Sequence, residues 1–475
     1  MSRTPLVPAC CLILAGCATA IPQAITPPLV PMSFAGQAAS APPLWPEPDW
    51  WQKFGSTELS GFIVEAHSAN RDLAVAVARV MEARAQTTIQ RAALFPQLNL
   101  QAQGSRSAPG SIDSTSGSST ATTNSFGLSL GASYEVDIWG LARSNLRAAE
   151  ETLKSARFAQ QAATLSLTAN VANTYFSVLA LRTRIAIANE DITAIDGILS
   201  IIKLKVSTGN SSHLDLAQEQ AQMESVEAEL PQLEEQELET RVALAVLLGE
   251  PPERLEVKTP TAEKIHPPLV APGLPSDLLL RRPDVAAAEA NLASAHANLD
   301  AARAAFLPQF ALSGSGGFAS AAIDTLLHGP SAAWDYGGSL LQTVFDGGKL
   351  LGQKALARAT QEELIASYQL AVLNAYADVE TALGQVKNYS AAEEHLTREV
   401  EAAREAFQIS QLQYRQGTTE LLTVLQSQQT LFSAEDQLAQ ITLARTQAVV
   451  HLYEALGGGW VEPKAERTQL ALEAP

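Results

Sequence analysis

The chain has 475 residues, 46% of them apolar and 17% charged, so it can bury a large core. A formal net charge of −18 with no basic stretch excludes a protein that binds nucleic acid through its phosphates. All three cysteines, Cys10, Cys11 and Cys17, lie at the N-terminal end, which excludes a disulfide framework or a cysteine metal site in the body.

In chain order, Arg3 and the short apolar run Cys10 to Ala15 lead into Leu14-Ala15-Gly16-Cys17. These four residues resemble a bacterial lipobox, and their depth in the chain favours that reading over an ordinary signal peptide with a chance cysteine. The resemblance implies a signal peptide over 1–16 and a lipid-anchored segment over 17–57. Cys17 would then carry a diacylglycerol thioether and an N-acyl chain such as palmitate. Similar lipoproteins with Asp after the cysteine stay at the inner membrane; Ala18 stands here, so the outer membrane is expected. No run of about 18 apolar residues follows, so no transmembrane helix is expected.

A helix is predicted near 58–95, stopping around Pro96. Leu98, Leu100, Ala102 and Gly104 then alternate with polar residues, and 107–125 is a flexible Ser/Thr/Gly loop. From Phe126 to Ile138 apolar and small polar residues alternate without a miss. A lipid-spanning strand needs about 9–11 such residues. An ordinary amphipathic strand would read the same way, and the paired strand with its loop favours the spanning one.

From Gly140 to Thr208 there is no proline, and a continuous helix there would be about 100 Å long. Val178, Leu181, Ile185, Ala188, Ile192, Ile195, Leu199, Ile202 and Val206 form a seam with the coiled-coil period of about 3.5. Gly209 marks a turn, and another helix follows near 211–249.

The chain then repeats itself. Arg91-Ala92-Ala93-Leu94-Phe95-Pro96-Gln97-Leu98 returns as Arg303-Ala304-Ala305-Phe306-Leu307-Pro308-Gln309-Phe310, Gly209 as Gly417, and Leu248-Gly249 as Leu456-Gly457, all at offsets between 208 and 212. A tandem duplication is read, with repeats over 58–265 and 266–460 and a tail over 461–475. The second copy has weaker strands (Phe310, Leu312, Gly314; Trp334, Tyr336, Gly338, Leu340, Val344) and a looser seam from Val386 to Tyr414. The two shorter helices of each copy together match its long one, so the chain climbs, crosses twice, descends and climbs back. Gly209 and Gly417 therefore share one far tip. Four strands per chain cannot close a barrel, and open edges in hydrocarbon cost several kcal/mol per unpaired group. Several chains must share one barrel; sequence alone leaves two, three or four copies open.

These elements, with Leu279-Leu280-Arg281-Arg282-Pro283-Asp284-Val285, Val344-Phe345-Asp346-Gly347-Gly348 and Ala455-Leu456-Gly457-Gly458-Gly459-Trp460, resemble the TolC/OprM family of outer-membrane efflux channels, in its NodT-like lipoprotein branch. The resemblance runs from Trp50 to Trp460. It implies a mainly α protein with a β-barrel portion. Four transmembrane strands per chain would enter a shared trimeric barrel, continuing into a long periplasmic coiled-coil α-barrel with an equatorial band of chain ends and linker. It further implies a passive exit duct for drugs or toxic small molecules in a Gram-negative outer membrane. The implied partners are two further copies, a periplasmic adaptor (membrane fusion protein), an inner-membrane resistance-nodulation-division pump and outer-membrane lipid. At the tip it points to Asp215 and Tyr414 as candidate gate residues. Thr419 replaces a frequent arginine, and Thr423 and Gln426 stand where acidic rings are common. Taken alone, Asp215 is more ordinarily a capping or solvated carboxylate.

No catalytic constellation, metal spacing or cofactor motif is found, so no enzyme and no cofactor beyond the lipid are expected. Gly347-Gly348-Lys349 lacks the rest of a phosphate loop and reads as a strand-to-helix turn capped by Asp346. Arg281 and Arg282 read as structural ion-pair formers, and Glu234, Glu235, Glu237 and Glu239 as a solvated helix face. The rival readings are a type I protein secretion channel, a structural periplasmic stalk and, last, an enzyme.

Overall fold

The computed structural model describes residues 46–108, 122–262, 265, 267–268 and 281–460. Cys17 and the lipobox, the tip of the Ser/Thr/Gly loop, part of the inter-repeat linker and the C-terminal tail lie outside them.

Two helices, α1 (Thr57–Ala69) and α2 (Arg71–Ala92), replace the single helix expected near 58–95. The break is Asn70, which adopts an extended backbone. Its side-chain oxygen accepts the Leu73 N–H at 2.9 Å and so caps α2, while its amide donates to the Leu247 carbonyl at 2.9 Å. An asparagine that bonds locally competes with the helix, and periodicity does not show that competition. Next come β1 (Gln97–Ser107), β2 (Thr123–Val136), α3 (Leu141–Ser207) and α4 (His213–Leu248). The second copy follows as α5 (Pro283–Ala304), β3 (Gln309–Ser320), β4 (Ala332–Leu341), α6 (Lys349–Gln416) and α7 (Leu421–Ala455). Val344, expected on the last strand, lies beyond it and is 93% exposed. Ile138 likewise falls past the end of β2.

Helices α3 and α6 have 67 and 68 residues, each about 100 Å at 1.5 Å per residue. Each starts the same way. Asp137 accepts the backbone N–H groups of Ala142 and Arg143, and Asp346 those of Gly348 and Leu350, so a carboxylate covers otherwise orphaned donors at a strand-to-helix turn. Gly140 and Gly348 occupy the left-handed N-cap positions there, at φ 81 and 92.

Nearer the sheet, α3 packs on α2 and α5, through Thr87 to the Ala149 carbonyl and Ser294 to the Ala148 carbonyl. Farther down it packs on α4 and α7, through Arg182–Glu237 at 2.9 Å and Arg184–Asp436 at 2.5 Å. Glu237 is thus a paired, largely buried side chain and departs from the solvated face expected for it, whereas Glu234, Glu235 and Glu239 are exposed. Of the α3 seam, Val178, Ala188, Ile195, Leu199 and Ile202 are buried and the remainder half-buried.

The main core lies at mid-length, where Trp50, Phe54, Tyr175, Phe176 and Tyr453 pack together with Leu255 and Val257 of the linker. Trp50 stacks on Tyr453 at 4.9 Å. Glu58 ties the linker down, accepting from the backbone of Lys258 and Thr259 and from the hydroxyls of Thr259 and Tyr175. The segment from Trp50, the described part of the linker and the end of α7 therefore meet at one level, where the resemblance led to an equatorial band.

Candidate functional site: an unclosed barrel wall and a two-turn tip

The four strands form one antiparallel sheet in the order β1-β2-β3-β4. Directly opposed residues in an antiparallel sheet share a face, so the register sorts the side chains. Leu98, Ala132, Gly314 and Tyr336 form one row, and Leu100, Leu130, Gly316 and Trp334 the next. Ala102, Leu128, Phe318 and Ala332 continue that face. The other face carries Asn99, Gly131, Ser315 and Asp335, then Gln101, Ser129, Gly317 and Ala333. The large apolar side chains of the paired stretch, Leu341 excepted, thus gather on one side and most of the amides and hydroxyls on the other, with Arg106, Asn124 and Ser320 at the loop end of the apolar face.

Nothing among the described residues covers the apolar side: Leu100, Trp334 and Tyr336 are 74%, 76% and 81% exposed. In water such a surface is unfavourable by about 25 cal/mol per Å²; against lipid it is the ground state. Strands of 11, 14, 12 and 10 residues are long enough to cross a bilayer at a tilt. The outer edges of β1 and β4 pair with no described strand. An apolar outer face, a polar inner face and two bare edges describe a segment of barrel wall. No described helix is long and apolar enough to cross a membrane.

At the other end, Gly209 and Gly417 turn the chain at φ 73 and 75, with open space around both. The helices that flank the two turns pack together. Ile198 and Ile202 of α3 pack with Tyr414 of α6 and Leu421 and Val424 of α7. Lys205 fastens them: its ammonium donates to the Tyr414 carbonyl at 2.7 Å and sits 3.8 Å from the centre of the Tyr414 ring.

Of the residues singled out from the sequence, Tyr414 is buried, and its hydroxyl lacks a well-formed hydrogen bond. Burial raises its pKa, the Ser211 hydroxyl partly offsets this, and the nearby Asp215 and Glu219 charges add to it. Asp215 is a capping residue. It accepts from the Ser211 hydroxyl at 2.6 Å and the Ser212 N–H at 3.0 Å, while its own N–H bonds the Ser212 hydroxyl, a reciprocal capping box. The Ser211 hydroxyl, then the Ser212 backbone, hold its carboxyl below the usual range. Thr423 and Gln426 are exposed one turn apart on α7, and Thr419 lies in the turn before it. Lys205 and the buried acid Glu219 were not singled out. A lysine near a helix end is ordinarily solvated, and only the meeting of two distant turns gives this one partners.

The joint between the shorter helices is the second shared construction. Arg282, N-cap of α5, is the counterpart of Asn70; it pairs with Asp284 at 2.7 Å and Asp378 at 2.9 Å and reaches the Ala455 carbonyl, as Asn70 reaches that of Leu247. Gly249 and Gly457 complete the two joints. A Cβ on either would overlap the carbonyl of Ala69 or of Arg281.

This architecture is that of known efflux channels. The chain matches the outer membrane efflux protein family over residues 62–250 and 274–458. It is 38% identical to the pyoverdine export outer membrane protein OpmQ of Pseudomonas putida, over 94% of this chain and 96% of that one. With SilC of Salmonella typhimurium, named a probable outer membrane lipoprotein, it shares 29% over 95% and 97%. Among solved structures, the Campylobacter jejuni CmeC outer membrane channel superimposes with a TM-score of 0.87 at 25% identity, covering 92% of this chain and 94% of that one. The chain therefore belongs to the outer membrane efflux protein family and serves as an exit duct for efflux at the outer membrane of a Gram-negative cell.

Proposed function

We propose that three copies of this chain close one duct, each contributing its four strands to a twelve-stranded barrel and its long helices to a periplasmic tube. The observation that carries this is the sheet with an apolar outer face and both edges bare, which is satisfied only when β4 of one copy meets β1 of the next. Cys17 is the lipid anchor, in keeping with the lipoprotein description of SilC. Lipid is secondary to the barrel, because acyl chains hold a protein less firmly than a spanning structure. The duct catalyses nothing; a periplasmic adaptor and an energised inner-membrane pump load it, with the Gly209 and Gly417 turns facing them.

The cargo we assign is a small organic molecule of the pyoverdine kind, on the strength of the 38% identity with OpmQ over nearly the whole chain. Native mass spectrometry of the membrane-extracted complex tests assembly and anchor together: a three-subunit mass with lipid on Cys17 is expected, and a lipid-free monomer would overturn both. The cargo assignment is tested by deleting the gene and profiling secreted metabolites. An unchanged secretome alongside heightened drug sensitivity would replace it with drug efflux.

A further inference from the structure

The tip contains a group that the duct reading does not use. Glu219 of α4 is 0% exposed, and neither carboxylate oxygen has a hydrogen-bond partner. It lies one turn beyond Leu216, which packs on the cluster joining the two turns. Uncompensated burial of a carboxylate is costly enough that such groups ordinarily stay protonated.

The surroundings offer no relief. From α3 the facing group is Asp191, whose Oδ2 is also buried without a partner; Lys205, nearer the turn, has its ammonium taken by the Tyr414 carbonyl. From α6 comes Tyr414 itself, close enough to sense the Glu219 charge. On α4, Asp215 is held in its capping box. From α7 the neighbour is neutral: buried Gln428 donates to Asp191 Oδ1 at 2.8 Å and leaves its own oxygen unpartnered. Glu229 and Glu435 add further negative charge around Asp191. Among the described residues no cation pairs with Glu219.

We infer that Glu219 is a proton-operated latch on the periplasmic tip: protonated, it lets α4 pack against α3 and the Tyr414 end of α6; ionised, it loosens that packing and frees the tip to open. The inference rests on the reading of the two turns as the tip of a conducting channel. Burial, with the Asp191 charge adding to it, pushes the Glu219 carboxyl up to about 7. The sign follows: a closed-state pKa above the solvated value favours the closed tip at low pH, and that preference is lost as pH rises through 7.

The test is single-channel recording of the purified full-length assembly in planar bilayers between pH 5.5 and 8.5. The open-to-closed ratio of the wild type should rise about tenfold per protomer between pH 6 and 8. Glu219→Gln, uncharged and of the same shape, should stay at the low-pH level throughout, and Asp191→Asn should move the midpoint to lower pH. Glu219→Leu gives the same reading should the amide variant fail to assemble. A wild type that conducts equally at every pH, or a Glu219 variant that keeps the wild-type response, would overturn the latch. A wild type that never conducts would instead overturn the duct reading on which it rests.

Discussion

Replacing Lys205 by Met keeps the length of the side chain and removes both its charge and its donor. What is lost is one ammonium-to-carbonyl hydrogen bond at 2.7 Å and one cation–π contact at 3.8 Å. Hydrogen bonds from charged groups contribute about 1.5–3 kcal/mol, and cation–π contacts about 0.5–2 kcal/mol. Lys205 is half-buried, so the lower ends apply and the sum is about 2 kcal/mol per protomer. That is about a 30-fold shift toward the separated turns in each copy. Should three tips open in concert, the shift multiplies and the assembly stands open at rest. The assay is resting conductance in planar bilayers at fixed pH, with Lys203→Met as control, because Lys203 is exposed two residues away and carries the same charge. Conductance of the Lys205 variant equal to that of the control would refute the claim that this contact holds the turns together.

Three further outcomes can be read from the thermal dissociation of the assembly. Gly249→Ala should be more damaging than Gly209→Ala although both glycines sit at nearly the same φ; the backbone penalty of about 1–2 kcal/mol is shared, and only Gly249 has a carbonyl in the way of a Cβ. Equal melting of the two variants would sink that argument. Arg282→Lys should cost about 1–3 kcal/mol, because a lysine cannot serve Asp284, Asp378 and the Ala455 carbonyl with one planar fork; melting unchanged from wild type would count against it. Asp215→Asn should cost about 0.5–1 kcal/mol of capping near neutrality. Since the folded pKa of Asp215 is lowered, that contribution is present above the unfolded value of about 3.9 and fades as pH falls through the folded one, so wild type and variant should converge only in strong acid.

Period, length and duplication are properties of a chain, and they carried much of the fold. The alternation from Phe126, the proline-free run after Gly140 and the recurrence of Gly209 at Gly417 are each visible without contacts. What stayed hidden depends on partners far away in sequence. Asn70 breaks a helix whose pattern runs through it, because its amide is wanted by Leu247, 177 residues on. Glu237 sits in an acidic run that looks solvated until Arg182 and Arg241 arrive. Lys205 needs Tyr414, 209 residues away. The candidate gate suffered similarly: Asp215 has a local use in its own capping box, and no pattern of residues says whether a carboxylate faces its neighbours or a lumen.

Duplication also explains where the molecule can move. Equivalent positions keep the backbone but not the chemistry, and the joints show how freely this happens, an asparagine in one copy doing with one amide what an arginine does in the other with a guanidinium. At the tip the difference is functional in direction. The counterpart of Glu219, at the offset of 208 that relates the turn helices, is Ser427, which is satisfied by Ser410 at 2.7 Å. Lys205 corresponds to Gln413, and Ile202 to Ser410. At the position of Glu219 the second hairpin therefore closes on itself with a neutral hydrogen bond. The first carries a buried acid without a partner and a lysine that must reach across to the other copy. Of two hairpins with the same shape, the one holding a buried acid without a partner is the one whose packing is more sensitive to its surroundings, so loosening at the tip should begin where α4 packs around Glu219.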